Sequence, residues 1–283
     1  NVDYRVVTVH PDLFETSIVK LQEDEVDRWK NAADGMGDTL YGPIDLSTVQ
    51  SAGEIIYPTI GCPHFVDRTD TSSRTFSIYV KVSTTEYIGD VRLERVDDAQ
   101  IVYPSKIGDT WDTINSAREI TINLPSDAPV GLYDMEVEKG SVGNWISALH
   151  AVQIVDGFSS PFKFVQITDV HIGEGVAADM EITVLGETIY SYTFYESPDS
   201  SYHTARFLAI LDRINEVEKP DFIVITGDNV NYNDEDSMKA FKGCLEYAKV
   251  PVFVTVGNHD RYGLVELTYV AEVVGFPIAE LKM

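Results

Sequence analysis

From about Glu54 to Asp156 apolar and polar residues alternate with a period of two. In RTFSIYVKVS, Phe76, Ile78, Val80 and Val82 fall on one face, and Ser77, Tyr79 and Lys81 on the other. REITINLP repeats the pattern with Ile120, Ile122 and Leu124. In PVGLYDMEVEKG, Tyr133, Met135 and Val137 oppose Asp134, Glu136 and Glu138, after the turn residues Pro129 and Gly131. Such alternation predicts half-buried strands. Short strands at this spacing, with no helix pattern between them, predict an antiparallel β-sandwich. Upstream, DYRVVTVH reads as a strand and EDEVDRWKNAAD, residues 23–34, as a short helical turn.

After Pro161 the rhythm changes. KFVQITDVH, FIVITGD and VFVTVGNHD are near-continuous apolar runs, as expected of strands buried on both faces of a sheet. Between them Phe207, Ile210, Leu211, Ile214 and Val217 mark one helix face, and Met238, Phe241 and Leu245 another. Strands alternating with helices predict parallel βαβ units. Small and turn-forming residues cluster in DGFSSPF, which puts a boundary there. The expected organisation is an N-terminal all-β sandwich over residues 1–158, followed by an α/β domain over 159–283. The stretch from Ile172 to about Ser201 exceeds an ordinary βα loop, and is expected to overhang the strand ends and shape substrate access.

Composition narrows the class. The 46 acidic and 21 basic residues give a formal charge of -25, with the excess spread over both halves of the chain. Such a surface repels phosphate backbones, so bulk nucleic-acid binding is not expected. No apolar run reaches the roughly 18 to 20 residues needed to cross a bilayer. Cys62 and Cys244 are far apart and outside any ligand spacing, and read as separate core thiols. Residue 1 is Asn rather than Met, with no charged-then-apolar leader before it, which fits a mature or trimmed chain; a secreted or cell-surface location is favoured.

The chemistry lies at the ends of the three apolar runs: D-V-H at 169–171, G-D-N at 227–229 and G-N-H-D at 257–260. In parallel α/β sheets ligands bind outside the carboxyl ends of the strands, so three strands would deliver their polar residues to one crevice. Carboxylates and imidazoles together suit Mn, Fe or Zn. Two such ions about 3.5 to 4 Å apart can clamp a phosphoryl group and activate water for in-line attack. Gly227 and Gly257 stand where backbone must come close to such a site.

D-x-H, then G-D, then G-N-H-D, each closing an apolar strand, resembles the calcineurin-like metallophosphoesterase superfamily over about Phe162 to Arg261. The preceding sandwich is similar, more loosely, to immunoglobulin-like N-terminal domains of some extracellular members. The resemblance implies hydrolysis of a phosphomonoester or phosphodiester at two divalent ions. Asp169 and His171 would bind the first ion, Asp228 would bridge both, and Asn258 would bind the second. His259 would protonate the leaving group or stabilise the transition state, and Asp260 would support that loop from behind. The expected partner is a small phosphorylated substrate; the sequence leaves the oligomeric state open.

This chain also departs from the family pattern. His171 stands where purple acid phosphatases have glycine, and Asn231, three residues after Asp228, stands in place of their tyrosine, which argues against a tyrosinate-bound ferric centre. Protein Ser/Thr phosphatases have aspartate and arginine at positions 231 and 232, here Asn231 and Tyr232. The family completes its site with a further histidine and a G-H-x-H motif, whereas 23 residues (283 minus 260) follow Asp260 without a histidine. Either the polypeptide continues past Met283 or the site is half of a dinuclear one. A non-enzymatic binding or scaffold protein is the competing reading. A nuclease is opposed by the charge and by the lack of a basic stripe. His203 reads as an exposed or capping residue, and His10, His64 and His150 have no partners at ligand spacing.

Overall fold

The computed structural model describes residues 3–11, 13–21, 25, 28, 44–49, 53–158, 161–173, 179–184, 187–193 and 201–261. Sixteen strands and two α-helices are found among them, a β-rich chain with few helices. The helical turn expected over 23–34 lies almost wholly outside the described residues. No helix among them is long and apolar enough to cross a membrane.

The chain opens with a hairpin of β1 (Asp3–Val9) and β2 (Phe14–Lys20). There follow β3 (Ile55–Tyr57), β4 (His64–Asp67), β5 (Thr75–Val80), β6 (Ile88–Arg95), β7 (Ile101–Val102), β8 (Ser105–Asp112), β9 (Ala117–Asn123), β10 (Gly131–Lys139) and β11 (Trp145–Val155). These nine form two sheets, in the orders β3-β5-β9-β8 and β4-β11-β10-β6-β7. Phe76, Ile78, Val80, Ile120 and Ile122 of the first share a buried cluster with Val91, Leu93, Tyr133, Met135, Val137 and Ile154 of the second. These are the alternating positions anticipated from period two. Glu138, expected to face outward, is only 7% exposed. Its carboxylate accepts from the Gly143 amide at 2.6 Å and the Tyr87 hydroxyl at 2.9 Å, which replaces the water it loses.

A third sheet carries β12 (Phe162–Ile167), β15 (Phe222–Thr226) and β16 (Val252–Thr255) in parallel. Between β12 and β15 lie the antiparallel pair β13 (Asp179–Val184) and β14 (Glu187–Thr193), then helix α1 (Ser201–Arg213). Helix α1 runs into a π-helical turn, Ile214–Glu218. Helix α2 (Glu235–Leu245) joins β15 to β16, and the Asp234 carboxylate caps it through the Ser237 amide. Val165, Ile167, Ile223, Ile225, Val252 and Val254 pack against Phe207, Leu211, Phe241 and Leu245 of the helices. Val217, expected on the same helix face as Ile214, is 63% exposed. The wider π turn adds a residue and rotates it out of phase.

Two expectations change. Burial on both faces does not hold for the parallel strands: their second face carries Phe162, Phe164, Phe222 and Phe253, all half-buried, with Phe162 and Phe164 stacked on Phe222 and Phe253 stacked on Phe65 of β4. Helices cover the first face alone among the described residues. Strand pairing also crosses the boundary expected at residue 158. β1 lies antiparallel to β12, with Arg5 opposite Gln166 and Val9 opposite Phe162, so the sheet order is β16-β15-β12-β1-β2. Tyr4, Val6, Ile44 and Val49 accordingly belong to the core beneath this sheet. Cys244 is buried in that core, whereas Cys62 is half-buried, and the two form no disulfide.

Candidate metal centre

Because β12, β15 and β16 are adjacent and parallel, their carboxyl ends open onto one edge of the sheet. The loops that follow stay in contact beyond the strands. The Asp169 amide donates to the Gly227 carbonyl at 3.3 Å, His171 to Asp228 at 3.0 Å, Ile172 to Asn229 at 3.0 Å and Asn231 back to Ile172 at 2.9 Å. Between them the chain turns through left-handed conformations at Asp169 (φ 56°), His171 (φ 51°), Gly227 (φ 95°) and Asp228 (φ 53°). For the three that are not glycine this costs roughly 1 to 3 kcal/mol apiece. Backbone strain of this kind gathers where side chains must be aimed.

It aims them at one another. His171, Asp228 and His259 each offer a donor atom, and these atoms lie within 4.8 Å of one another. The imidazoles of His171 and His259 meet edge to face with centroids 4.6 Å apart. Asp228 Oδ1 accepts the His259 amide at 2.9 Å, and Nδ1 of His259 sits 2.9 Å from the Asn231 carbonyl. A carbonyl only accepts, so Nδ1 carries the hydrogen and Nε2 is left for other chemistry. Asp169 stands at the rim: its side chain is 61% exposed and Oδ1 lies 3.7 Å from His171 Nε2, while Thr168 Oγ donates to Oδ2 at 2.7 Å. Asn258, one residue before His259, is on the exposed part of the turn. The sequence-derived residues thus reach one edge, with His171, Asp228 and His259 as the tight group and Asp169 and Asn258 around it.

Asp260 holds the arrangement together. It is fully buried, and its Oδ1 accepts the amides of Asn229 at 2.9 Å and Val230 at 3.0 Å. Its Oδ2 accepts the Gly257 amide at 2.7 Å and Asn229 Nδ2 at 2.9 Å. Burial pushes this carboxyl above the ordinary aspartate range, against the pull of the backbone amides. Close approach explains the glycines. A Cβ on Gly227 would come 2.7 Å from the Gly257 nitrogen, and one on Gly257 would overlap Asp228 Oδ1 and its amide.

Whether this set suits a cation can be judged from its unmet polar atoms. Nδ1 of His171 is buried and without a hydrogen-bond partner, and an imidazole beside the Asp228 and Asp169 carboxylates is a donor set for a divalent ion of borderline character, with the His259 imidazole close enough to act on what the ion holds. The residues fit a metal. Sequence reasoning singled out Asp169, His171, Asp228, Asn258, His259 and Asp260 but not the Asn231 carbonyl or the side chain of Asn229, since neither role has a residue-type signature.

Residues 162–280 match the family model described as calcineurin-like phosphoesterase. Two Arabidopsis thaliana proteins are similar to part of the chain. One, named probable inactive purple acid phosphatase 29, is 28% identical over 104 residues, 35% of this chain and 24% of the relative. The other, probable inactive purple acid phosphatase 28, is 31% identical over 105 residues, 35% of this chain and 23% of the relative. The chain thus spans about a quarter of the length of the plant relatives it matches. The structure of purple acid phosphatase PPD1 from yellow lupin (Lupinus luteus) seeds overlaps 74% of this chain and 37% of its own at 12% identity and a TM-score of 0.30, too low to bear on the fold. Together the family match and the relatives support the calcineurin-like phosphoesterase superfamily for the C-terminal segment.

Proposed function

We propose that this protein hydrolyses phosphomonoester or phosphodiester bonds at a site holding two divalent ions, Mn, Fe or Zn. The observation that carries the reading is the convergence of His171, Asp228 and His259 within 4.8 Å at the carboxyl edge of three adjacent parallel strands. Asp169 and His171 would hold one ion, Asp228 would be shared between both, and Asn258 would contribute to the second. Bound ions would supply Lewis acidity and lower the pKa of water. His259, held through Nδ1 by the Asn231 carbonyl, presents Nε2 to the substrate and gives a proton to the leaving oxygen. Asp260 keeps the Asp228 and His259 loops in register. In domain terms, we read β3 to β11 as the sandwich and the parallel sheet, extended by β1 and β2, as the phosphoesterase part. With a charge of -25 the substrate is a small phosphorylated molecule rather than bulk nucleic acid.

Replacing Asp228 by Asn tests this. Hydrolysis of p-nitrophenyl phosphate and of its bis ester should require Mn, stop with chelator, and be lost in the variant; unchanged turnover in Asp228→Asn would sink the assignment. The second reading is a binding or scaffold protein with an incomplete site. Its support is that both plant relatives are named probable inactive phosphatases. Metal binding without turnover on either ester would favour it.

A further inference from the structure

Val170 sits between two candidate ligands that both carry left-handed backbone, so the position of its peptide determines where Asp169 and His171 point. The neighbouring amides of Asp169, His171 and Ile172 are tied to the 227–229 loop. The Val170 carbonyl is held differently: Nδ1 of His203, in the first turn of α1, lies 3.3 Å from it. Since the carbonyl accepts, His203 is the donor. The valine side chain is buried at 3% exposure, and His203, Arg206, Phe207 and Ile210 close around it without room for a water. A loop with two strained residues and a buried pivot has two anchors, the 227–229 loop on one side and His203 on the other.

We infer that His203 is a positioning residue for the metal site: it braces the Asp169-Val170-His171 turn so that both donors are aimed before an ion arrives. It does not touch the reacting atoms. The inference rests on the metal reading above. It also links the site to the helix that follows the β13–β14 pair, because His203 lies in that helix's first turn.

The test compares wild type with His203→Ala and His203→Asn, whose amide keeps a donor near the place of Nδ1. Calorimetric titration with Mn should show about tenfold weaker binding in His203→Ala, the scale seen when a group supporting a ligand is removed, and recovery to within about twofold in His203→Asn. Hydrogen exchange without metal should speed up at the amides of residues 169–172 in the alanine variant alone. Mn affinity of His203→Ala within twofold of wild type overturns the inference. If the wild type binds no Mn, the metal reading fails and the inference with it. Faster exchange would in that case leave a brace of purely structural meaning.

Discussion

Asp260 offers the sharpest test of how the site is held. Its carboxylate receives four N–H groups, two on each oxygen, and each neighbour in that shell is a donor. Asp260→Asn keeps the shape. One oxygen can retain its pair of amides, but the new NH₂ then faces the donors on the other side. Two bonds to a charged acceptor are lost, at about 1.5 to 3 kcal/mol each. No longer burying a charge returns part of this, leaving a net cost of about 3 kcal/mol. Asp260→Ala strands all four donors and should cost more, about 4 to 5 kcal/mol. Both helices belong to the core beneath this sheet, whereas Trp111 and Trp145 lie in β8 and β11. Urea unfolding followed by helical circular dichroism therefore reads the relevant region; tryptophan fluorescence, taken in a Trp29→Phe background so that only Trp111 and Trp145 emit, is the control for the other sheets. The expected order is wild type above Asn above Ala by dichroism, with the fluorescence transition moved much less. A loss below about 1 kcal/mol in Asp260→Asn would show that the four bonds do not carry the loop.

Two other perturbations follow from the same structure. Gly257→Ala puts a methyl against the Asp228 carboxylate and amide, with Cγ at 2.9 Å, so it should cost about 1 to 3 kcal/mol by overpacking and displace Asp228, weakening Mn binding in calorimetry. Wild-type affinity in that variant would contradict the close approach. Burial lowers His64 and His150 to about 4, so both are neutral in the fold and take up protons on unfolding. Their contribution is complete above pH 6.5 and is lost as pH falls from 6.5 towards 4, up to roughly 3 kcal/mol each. Burial raises Asp134 and Glu246, which offsets part of this loss. Proton NMR of the two imidazoles should show titration near 4; an ordinary midpoint near 6.5 would remove the effect.

Much of this was legible from residue order because the relevant forces are local. Period two in RTFSIYVKVS and REITINLP reports burial of one strand face, and Phe76, Ile78, Ile120 and Ile122 are buried accordingly. The D-V-H, G-D and G-N-H-D runs were legible because each follows directly on an apolar strand, so strand direction alone brings them to one edge. What escaped was non-local. Nothing in DYRVVTV states that its partner is β12, some 160 positions later, because backbone pairing is blind to side-chain identity. Val217 missed its face because a π turn leaves no mark on hydrophobic spacing. Glu138 was misplaced because its burial depends on Tyr87 and Gly143 from other turns. His203 reads from sequence as a capping or exposed residue at a helix start, and its bond to the Val170 carbonyl, 33 positions away, leaves no mark there.

The strained residues also say when the site is organised. Left-handed backbone at Asp169, His171 and Asp228 costs a few kcal/mol in sum, and it persists only if surrounding bonds outweigh it. Those bonds are present in the protein itself: the amide ladder between the 169–172 and 227–231 loops, the four donors on Asp260, and the Asn231 carbonyl on His259. None of them uses a ligand atom that a cation would need, except the Asp228 oxygen shared with the His259 amide. The side chains are therefore aimed by backbone alone, and an ion entering such a site would give up little binding free energy to ordering the loops. A site organised in this way should bind metal with little change in loop exchange rates. One that depended on the ion for its shape would show the 169–172 amides slow down sharply on loading.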